Sequence, residues 1–221
     1  ETIFHTSAQF ENLSRKKQLM WRIIRHPIPF FVLAPILTWY VRMRLPFELR
    51  PERKAAYRLS DKMLSTIFMF FRYKLARHHG ILPVILFGDY LAMFLGVLLF
   101  HWQHVFTEGY LRDQSDWNLR DAATKGSSLL VIPDCLKFFT LGIEYHHIHH
   151  FRTKIPGYNL REVHENAPAA FDDLPSGFRN VPTLAYRQMW ESIWLQCYDE
   201  KTQRYVQFEE AVKDFNANKK E

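Results

Sequence analysis

The chain has 221 residues, 48% of them hydrophobic and 16% aromatic, which suffices for one domain with a buried core or a membrane-embedded part. Its formal charge of +6 and its pI of about 9.3 admit a nucleic acid or an anionic membrane surface as partner. Because the aromatic residues adjoin apolar runs near Lys and Arg, and no nucleic-acid motif accompanies them, the pattern favours a lipid bilayer and excludes nucleic acid. The two cysteines, Cys135 and Cys197, exclude a disulfide framework and a CxxC metal or redox motif.

The first 62 residues predict interfacial helices and a basic connector. Residues 7–25 mix apolar side chains with Lys and Arg, which suits a basic helix on a membrane surface or an ordinary soluble helix. Residues 27–41 form an uncharged run of fifteen residues that is short for a bilayer span and is interrupted by internal prolines. We therefore expect this run to be re-entrant or interfacial, and residues 42–62 to form the charged connector.

A membrane hairpin is predicted for residues 63–100. Its second half, ILPVILFGDYLAMFLGVLLF at residues 81–100, has the length of about 20 residues that a bilayer span requires. Its first half, residues 63–77, ends in basic residues that we expect to snorkel to the interface, namely Arg72, Lys74 and Arg77. This hairpin is preferred because pairing residues 81–100 with the earlier apolar run would leave the basic connector on the outer side of the membrane. Asp89, the only charge in residues 81–100, is expected to pair with a neighbouring side chain.

Residues 101–221 are expected to form a cytosolic helical cap. The side chains near its C-terminus that are spaced as one packed face of a helix are Trp190, Ile193, Trp194, Cys197 and Tyr198. The Pro- and Asp-rich stretch at residues 166–182 predicts a loop. The whole chain is thus expected to be all-α, with integral membrane helices and a cap.

Two segments of the cap are rich in histidine, FHWQHVF at residues 100–106 and GIEYHHIHHF at residues 142–151. On a helix His146, His149 and His150 share one face, since offsets of three and four residues bring side chains together. His104 follows the predicted span and can reach the same side of the membrane without a further crossing. Because imidazole suits iron, zinc, copper or nickel, the spacing predicts a transition-metal site without naming the metal.

Neighbouring side chains are candidates to hold these ligands in place. A ligating imidazole usually donates its other N–H to a carboxylate or carbonyl oxygen, which favours Glu108, four residues after His104, and Glu144. His147 is turned away from the ligand face by about 100° per residue, so we expect it to support the ligands rather than to bind the metal.

The HHIHH segment contains the pattern HxxHH and resembles the third histidine box of membrane fatty acid desaturases, as His146, His149 and His150. The following RTKIPGYNLREVHENAP at residues 152–168 resembles the segment after that box in the omega-6 (delta-12-like) and bacterial branch. There an IPxYxL pattern precedes a CHE-like triplet, whose place is taken here by residues 163–165. Further segments that fit the family are QHVF at residues 103–106, GSS at residues 126–128 and LQCYDEKTQRYVQF at residues 195–208. The resemblance covers nearly the whole chain, which we therefore treat as one desaturase domain.

The resemblance implies that His104, His146, His149 and His150 are ligands of a non-haem site with two iron ions. His101 matches no required histidine of the family, and we expect it to support a ligand or to lie at the interface. The family's two earlier boxes, of the HDxGH and HxxHH kinds, do not occur in this sequence. Because the first 27 residues resemble the family's segment after the second box, we expect both boxes upstream of Glu1 and this chain alone to be inactive. A truncated, inactive relative is the alternative.

The implied activity is an O₂-dependent desaturation that introduces a cis double bond into a long acyl chain of a membrane lipid or thioester. The electrons are expected from a separate ferredoxin or cytochrome b5, since no haem, flavin or iron–sulfur motif is visible. The implied location is the endoplasmic reticulum, a plastid or the bacterial inner membrane, with the metal site on the cytosolic or stromal side. Two alternatives stay open, a related di-iron acyl hydroxylase or acetylenase and a non-catalytic metal-binding membrane protein.

Overall fold

The structure is a computed structural model that describes residues 4–42, 55–112, 116–166 and 180–211. Within these ranges the α-helices are, in chain order, α1 Ser7–Glu11, α2 Arg15–Arg25, α3 Pro27–Ile36, α4 Ala55–His78, α5 Leu82–His104, α6 Leu119–Thr124, α7 Asp134–Thr140, α8 His146–Phe151, α9 Leu160–Asn166 and α10 Tyr186–Ser192. A π-helical segment, Leu37–Arg42, follows α3, and 3₁₀ turns at Ile143–Tyr145 and Gly157–Asn159 precede α8 and α9. Most of the basic connector, most of the Pro- and Asp-rich stretch and the C-terminal tail lie outside the described residues.

Two short strand pairs accompany the helices. β1 Leu129–Leu130 pairs in parallel with β2 Thr183–Leu184, and β3 Cys197–Asp199 pairs antiparallel with β4 Arg204–Val206. Apart from these short strands the described chain is mostly helical, which confirms that part of the predicted all-α class.

The predicted helical face is wrong beyond Ser192, because Ile193 and Trp194 lie in a turn and Cys197 and Tyr198 lie in β3. The helix α10 ends at Ser192, and Tyr198 pairs with Tyr205 across the two strands. A turn at residues 200–203, in which Gln203 adopts a φ of 56°, returns the chain so that the strands can pair. The spacing of these side chains fits a helix as well as a strand. The backbone hydrogen bonds between β3 and β4 decide for the strand.

The chain divides into two compact units, one of residues 1–26 and 100–221 and the other of residues 27–99. In the first unit a small core forms where Phe10 of α1 stacks on Phe208 with ring centroids 4.1 Å apart, beside the buried Cys197 and Val206. The helix α1 begins at a capping box, in which Thr6 Oγ1 accepts from Gln9 N and Gln9 Oε1 accepts from Thr6 N. The N-terminal helices up to residue 26 thus belong to the same unit as the histidine segments.

The helix α2 packs Trp21, Arg22 and Arg25 against the first unit and leaves other apolar side chains exposed. Arg25 is only 7% exposed, and its guanidinium lies 3.8 Å from the ring centroid of Phe4. The large apolar side chains of the same helix are exposed, namely Leu19, Met20, Ile23 and Ile24. Such an outward apolar face favours the first of the two predicted alternatives, a helix on a membrane surface.

The second unit contains α3, α4 and residues 82–99 of α5. Between α4 and α5 the chain turns at Gly80, which has a φ of 71°. Asp89 accepts two hydrogen bonds from Arg72, of 2.7 and 2.9 Å, and one of 2.8 Å from the Tyr73 hydroxyl. The predicted pairing of Asp89 is confirmed, and its partner is Arg72, one of the basic residues predicted to snorkel to the interface.

Among the described residues, one helix, Leu82–His104, is long and apolar enough to cross a membrane. The segments Arg15–Arg25 and Pro27–Val41 would add a second span if they form one broken helix. The helix α4 does not reach the same mean hydropathy, although it has 24 residues.

Candidate metal centre

The last turn of α5 is held by hydrogen bonds from consecutive residues to different segments of the first unit. His101 Nε2 donates to the carbonyl oxygen of Ser192 at 2.9 Å, and Trp102 Nε1 donates to that of Met189 at 2.9 Å. Gln103 Nε2 donates to the carbonyl oxygen of Ile143 at 2.7 Å. The buried His101 supports this turn, and it is not one of the three histidines whose nitrogens cluster in the described part of the chain.

The GSS segment completes the attachment of this turn. Ser128 Oγ donates to the carbonyl oxygen of Trp102 at 2.8 Å, and Ser128 N donates to that of Gln103 at 3.0 Å. Gly126 offers its own carbonyl oxygen to His104 Nδ1 at 3.2 Å. A Cβ atom at Gly126 would lie 2.6 Å from the carbonyl oxygen of Ala122, so only glycine allows this close approach.

The carbonyl oxygen of Gly126 fixes the orientation of the His104 ring. Because a carbonyl oxygen can only accept, Nδ1 carries the proton, and Nε2 is left with a lone pair. This is the usual arrangement of a metal-binding histidine, whose second nitrogen donates to a carboxylate or carbonyl oxygen. Glu108, the predicted partner of His104, is instead exposed and forms no hydrogen bond with another described residue.

The helix α8 brings two further imidazoles to His104. The nitrogens of His104, His146 and His150 lie within 4.8 Å of one another, and the Nε2 atoms of His104 and His146 are 3.0 Å apart. His146 and His150 lie one helical turn apart, and their rings meet edge to face with centroids 4.6 Å apart. We call His104, His146 and His150 the histidine triad.

His149 lies beside the histidine triad but outside it. Its ring is 5.5 Å from that of His146 and 6.4 Å from that of His150, measured between centroids. Of the four predicted ligands, the structure thus brings three together, and His149 remains a predicted ligand at the edge of the cluster.

Burial favours the neutral form of His146 and His150, the form in which imidazole binds a metal. Removal from water lowers the pKa of His146 to about 2, and the neighbouring His104 lowers it further. Burial and then the neighbouring His149 also lower the pKa of His150. Among the described residues, His146 Nδ1 and His150 Nε2 are buried without a hydrogen-bond partner. Two such lone nitrogens in a cluster of three imidazoles fit a transition-metal ion.

A second pair of histidines connects α8 to α9. His147 is fully buried, and its Nε2 lies 3.1 Å from Nδ1 of His164. Sequence reasoning expected His147 to support the ligands but did not identify His164 as its partner. The only sequence signal for His164 was its position in the triplet at residues 163–165. Its contact with His147 depends on how α8 and α9 pack, which the spacing of residues within either helix does not show.

Glu144 is buried and accepts a hydrogen bond of 2.7 Å from Thr140 Oγ1. Its carboxylate therefore stabilises the approach to α8 through a contact with the end of α7, and this bond does not lead to the histidine triad.

The fold and the site together define a class of protein, a mostly helical chain with an apolar helix of membrane-spanning length that ends in a cluster of imidazoles able to hold a metal ion. The chain belongs to the fatty acid desaturase family, whose model matches residues 3–181. A protein of Bacillus subtilis (strain 168) named fatty acid desaturase is 28% identical over 211 residues, which cover 92% of this chain and 55% of that relative. The resemblance of the chain to the desaturase family is thereby confirmed, and the chain spans about half the length of this relative.

Proposed function

We propose that this chain is part of an integral membrane desaturase that uses two iron ions and O₂ to introduce a cis double bond into a long acyl chain. The histidine triad carries the proposal, since it joins the end of an apolar helix to the HxxHH segment through ligand nitrogens within 4.8 Å. Membership of the family supports the reaction class.

The reaction converts two adjacent methylene groups into a double bond. It consumes one O₂, two electrons and two protons besides the two hydrogens removed from the chain, and it releases two molecules of water. Iron bound by the histidines supplies the oxidation, for which no amino-acid side chain suffices. The protein must hold the ligands, fix one carbon pair and exclude water.

The residues of this chain can perform the first of these tasks. The carbonyl oxygen of Gly126 orients His104 so that its Nε2 faces the other two members of the histidine triad. The contact between His147 and His164 connects the ligand helix α8 to α9. Because His104 and the helix that carries His146 and His150 are restrained before a metal binds, less conformational entropy is lost on binding.

The bilayer is the proposed environment, at the endoplasmic reticulum, a plastid or the bacterial inner membrane, with the triad on the cytosolic or stromal side. The exposed apolar side chains of α5, Val84 and Phe87 among them, support this proposal. The electrons come from a separate ferredoxin or cytochrome b5. The formal charge of +6 supports docking of such an acidic carrier.

The test is a fatty acid profile by gas chromatography of a host that lacks polyunsaturated lipids and expresses the full-length protein. We expect a new double bond that disappears with His146→Ala and persists with His79→Ala, which alters an exposed histidine of the hairpin turn. Iron measured on the purified proteins should fall with His146→Ala alone. A hydroxylated or acetylenic product would assign the related oxidase, and iron binding without any product would leave a metal-binding protein.

A further inference from the structure

A cavity of about 560 Å³ opens beside the histidine triad in the first unit. This volume falls in the range of about 300–1,000 Å³ that is usual for small-molecule sites. Two triad members, His104 and His150, line it. The other side chains around it are mostly aromatic or apolar, and include Phe4, Phe100, Tyr110, Leu111 and Tyr205.

Arg112 is the one lining residue of this cavity, among the described residues, that carries a permanent charge. Its side chain is exposed, and no described carboxylate lies within ion-pair distance of it. A cation at the edge of an apolar cavity favours a ligand with an apolar body and an anionic end.

The structure holds the Arg112 guanidinium in one orientation. Its Nη1 donates to the Tyr198 hydroxyl at 3.1 Å and to the carbonyl oxygen of Leu111 at 2.9 Å. The guanidinium also lies over the ring of Tyr110, 5.3 Å from the centroid. Tyr198 is only 2% exposed, so its hydroxyl is a fixed acceptor. Nε and Nη2 have no hydrogen-bond partner among the described residues and remain as donors for a ligand.

We propose that Arg112 binds a phosphate group of the acyl substrate, and hence that the substrate is a phospholipid or an acyl thioester of a phosphate-bearing carrier. The inference rests on the proposed function, because it assigns the polar end of the substrate whose chain would lie beside the histidine triad. The planar guanidinium matches phosphate through two parallel hydrogen bonds, which an ammonium group cannot form. An arginine already oriented by Tyr198 loses less rotamer freedom when the ligand binds.

The test is calorimetric binding to the full-length protein in a neutral maltoside detergent. The probes share a palmitoyl chain and differ in the polar end: lysophosphatidic acid, palmitoyl-CoA, palmitate and monopalmitoylglycerol. We expect a phosphate-bearing probe to bind roughly tenfold more tightly than monopalmitoylglycerol, which corresponds to about 1.4 kcal/mol. Whether lysophosphatidic acid or palmitoyl-CoA binds more tightly distinguishes the lipid from the thioester source, and competition by inorganic phosphate alone tests whether the acyl chain contributes.

The variants distinguish a specific effect of Arg112 on phosphate binding from a general loss of structure. Arg112→Gln should abolish the preference for phosphate and leave the affinity for monopalmitoylglycerol unchanged. Tyr198→Phe should reduce the preference, because it removes the hydroxyl that orients the guanidinium. The matched control is Arg204→Gln, an exposed arginine that does not line the cavity, which should behave as wild type.

Different outcomes would overturn different statements. A phosphate preference that survives Arg112→Gln, or an equal affinity for palmitate, would refute the role of Arg112 while the desaturase proposal stands. Full competition by inorganic phosphate would refute a contribution of the acyl chain to binding at this cavity. If none of the four probes binds to wild-type protein, the acyl substrate itself is refuted, and the proposed function fails with it.

Discussion

Burial decides the protonation state of His147, the residue between the ligands on α8. A histidine in an unfolded chain has a pKa near 6.5, whereas burial, followed by the charge of His164, lowers the pKa of His147 to about 3. Between these values the unfolded chain binds a proton that the folded chain does not. The stability contributed by neutral His147 is therefore present above pH 6.5 and is lost as the pH falls toward the folded value.

We expect the metal-free protein to lose about 1 kcal/mol of unfolding free energy through His147 between pH 7 and pH 5.5. His147→Gln should remove this part of the pH dependence. The measurement is chemical unfolding in detergent with a chelator at both pH values, with the exposed His79→Gln as control. An unchanged pH dependence in His147→Gln would show that His147 does not fold in its neutral form.

The residues that orient the site could be predicted only in part. Helical spacing was enough to bring His146 and His150 together, because their contact is local. Gly126 and Ser128 follow His104 by more than twenty residues, and their hydrogen bonds to α5 depend on a loop that no periodicity describes. The partner of His104 was expected to be a carboxylate, and the structure supplies the carbonyl oxygen of Gly126 instead.

At the scale of elements, the start of α8 is set by the turn that follows α7. Leu141 and Gly142 adopt φ values of 52° and 85°, and Leu141 N donates to the carbonyl oxygen of Lys137 to close α7. A Cβ atom at Gly142 would collide with the carbonyl oxygen of Gly157. Only glycine tolerates both the left-handed backbone and this contact, so the turn fixes where His146 lies.

Gly142→Ala should destabilise the folded chain by about 1 to 3 kcal/mol, because it adds backbone strain and a steric clash. It should also weaken metal binding, since α8 would shift. Chemical unfolding and metal titration measure the two effects. Gly88→Ala is the matched control, because a Cβ atom there meets nothing within 4 Å and α5 gains helix propensity. Equal stability of the two variants would refute the role assigned to the turn.

The C-terminal elements show where sequence periodicity fails. The apolar residues from Trp190 to Tyr198 fit a helix, but a segment of this length with residues at mixed spacing fits a strand that packs on both faces as well. The choice is made by β4, which lies beyond a turn and provides the partner for β3. A pairing between two segments is not encoded in either one alone.

At the scale of the whole molecule, apolar side chains face outward in both units. In the first unit they lie on α2, as Leu19 and Ile23, and in the second on α4 and α5, as Phe68 and Phe87. Large exposed apolar side chains in such number are unusual on soluble monomers. The sequence predicted the apolar run of α5 because its length matches the bilayer thickness.

We expect the full-length protein to remain with the membrane pellet after an alkaline carbonate wash and to be released by a neutral detergent. A peripheral protein held by charge alone, measured in parallel, should leave the membrane under the same wash. Recovery of the full-length protein in the carbonate supernatant would contradict the bilayer span proposed for α5.

The attachment of the last turn of α5 restricts how the length of this helix can vary. Each residue added upstream rotates everything after it by about 100°, so one or two extra residues would point His101, Trp102 and Gln103 away from all their partners at once. An extension of three or four residues nearly completes a turn and returns them to the same direction. Longer and shorter versions of this helix are therefore expected to differ by whole turns, because the contacts of its last turn fix its rotation about the helix axis.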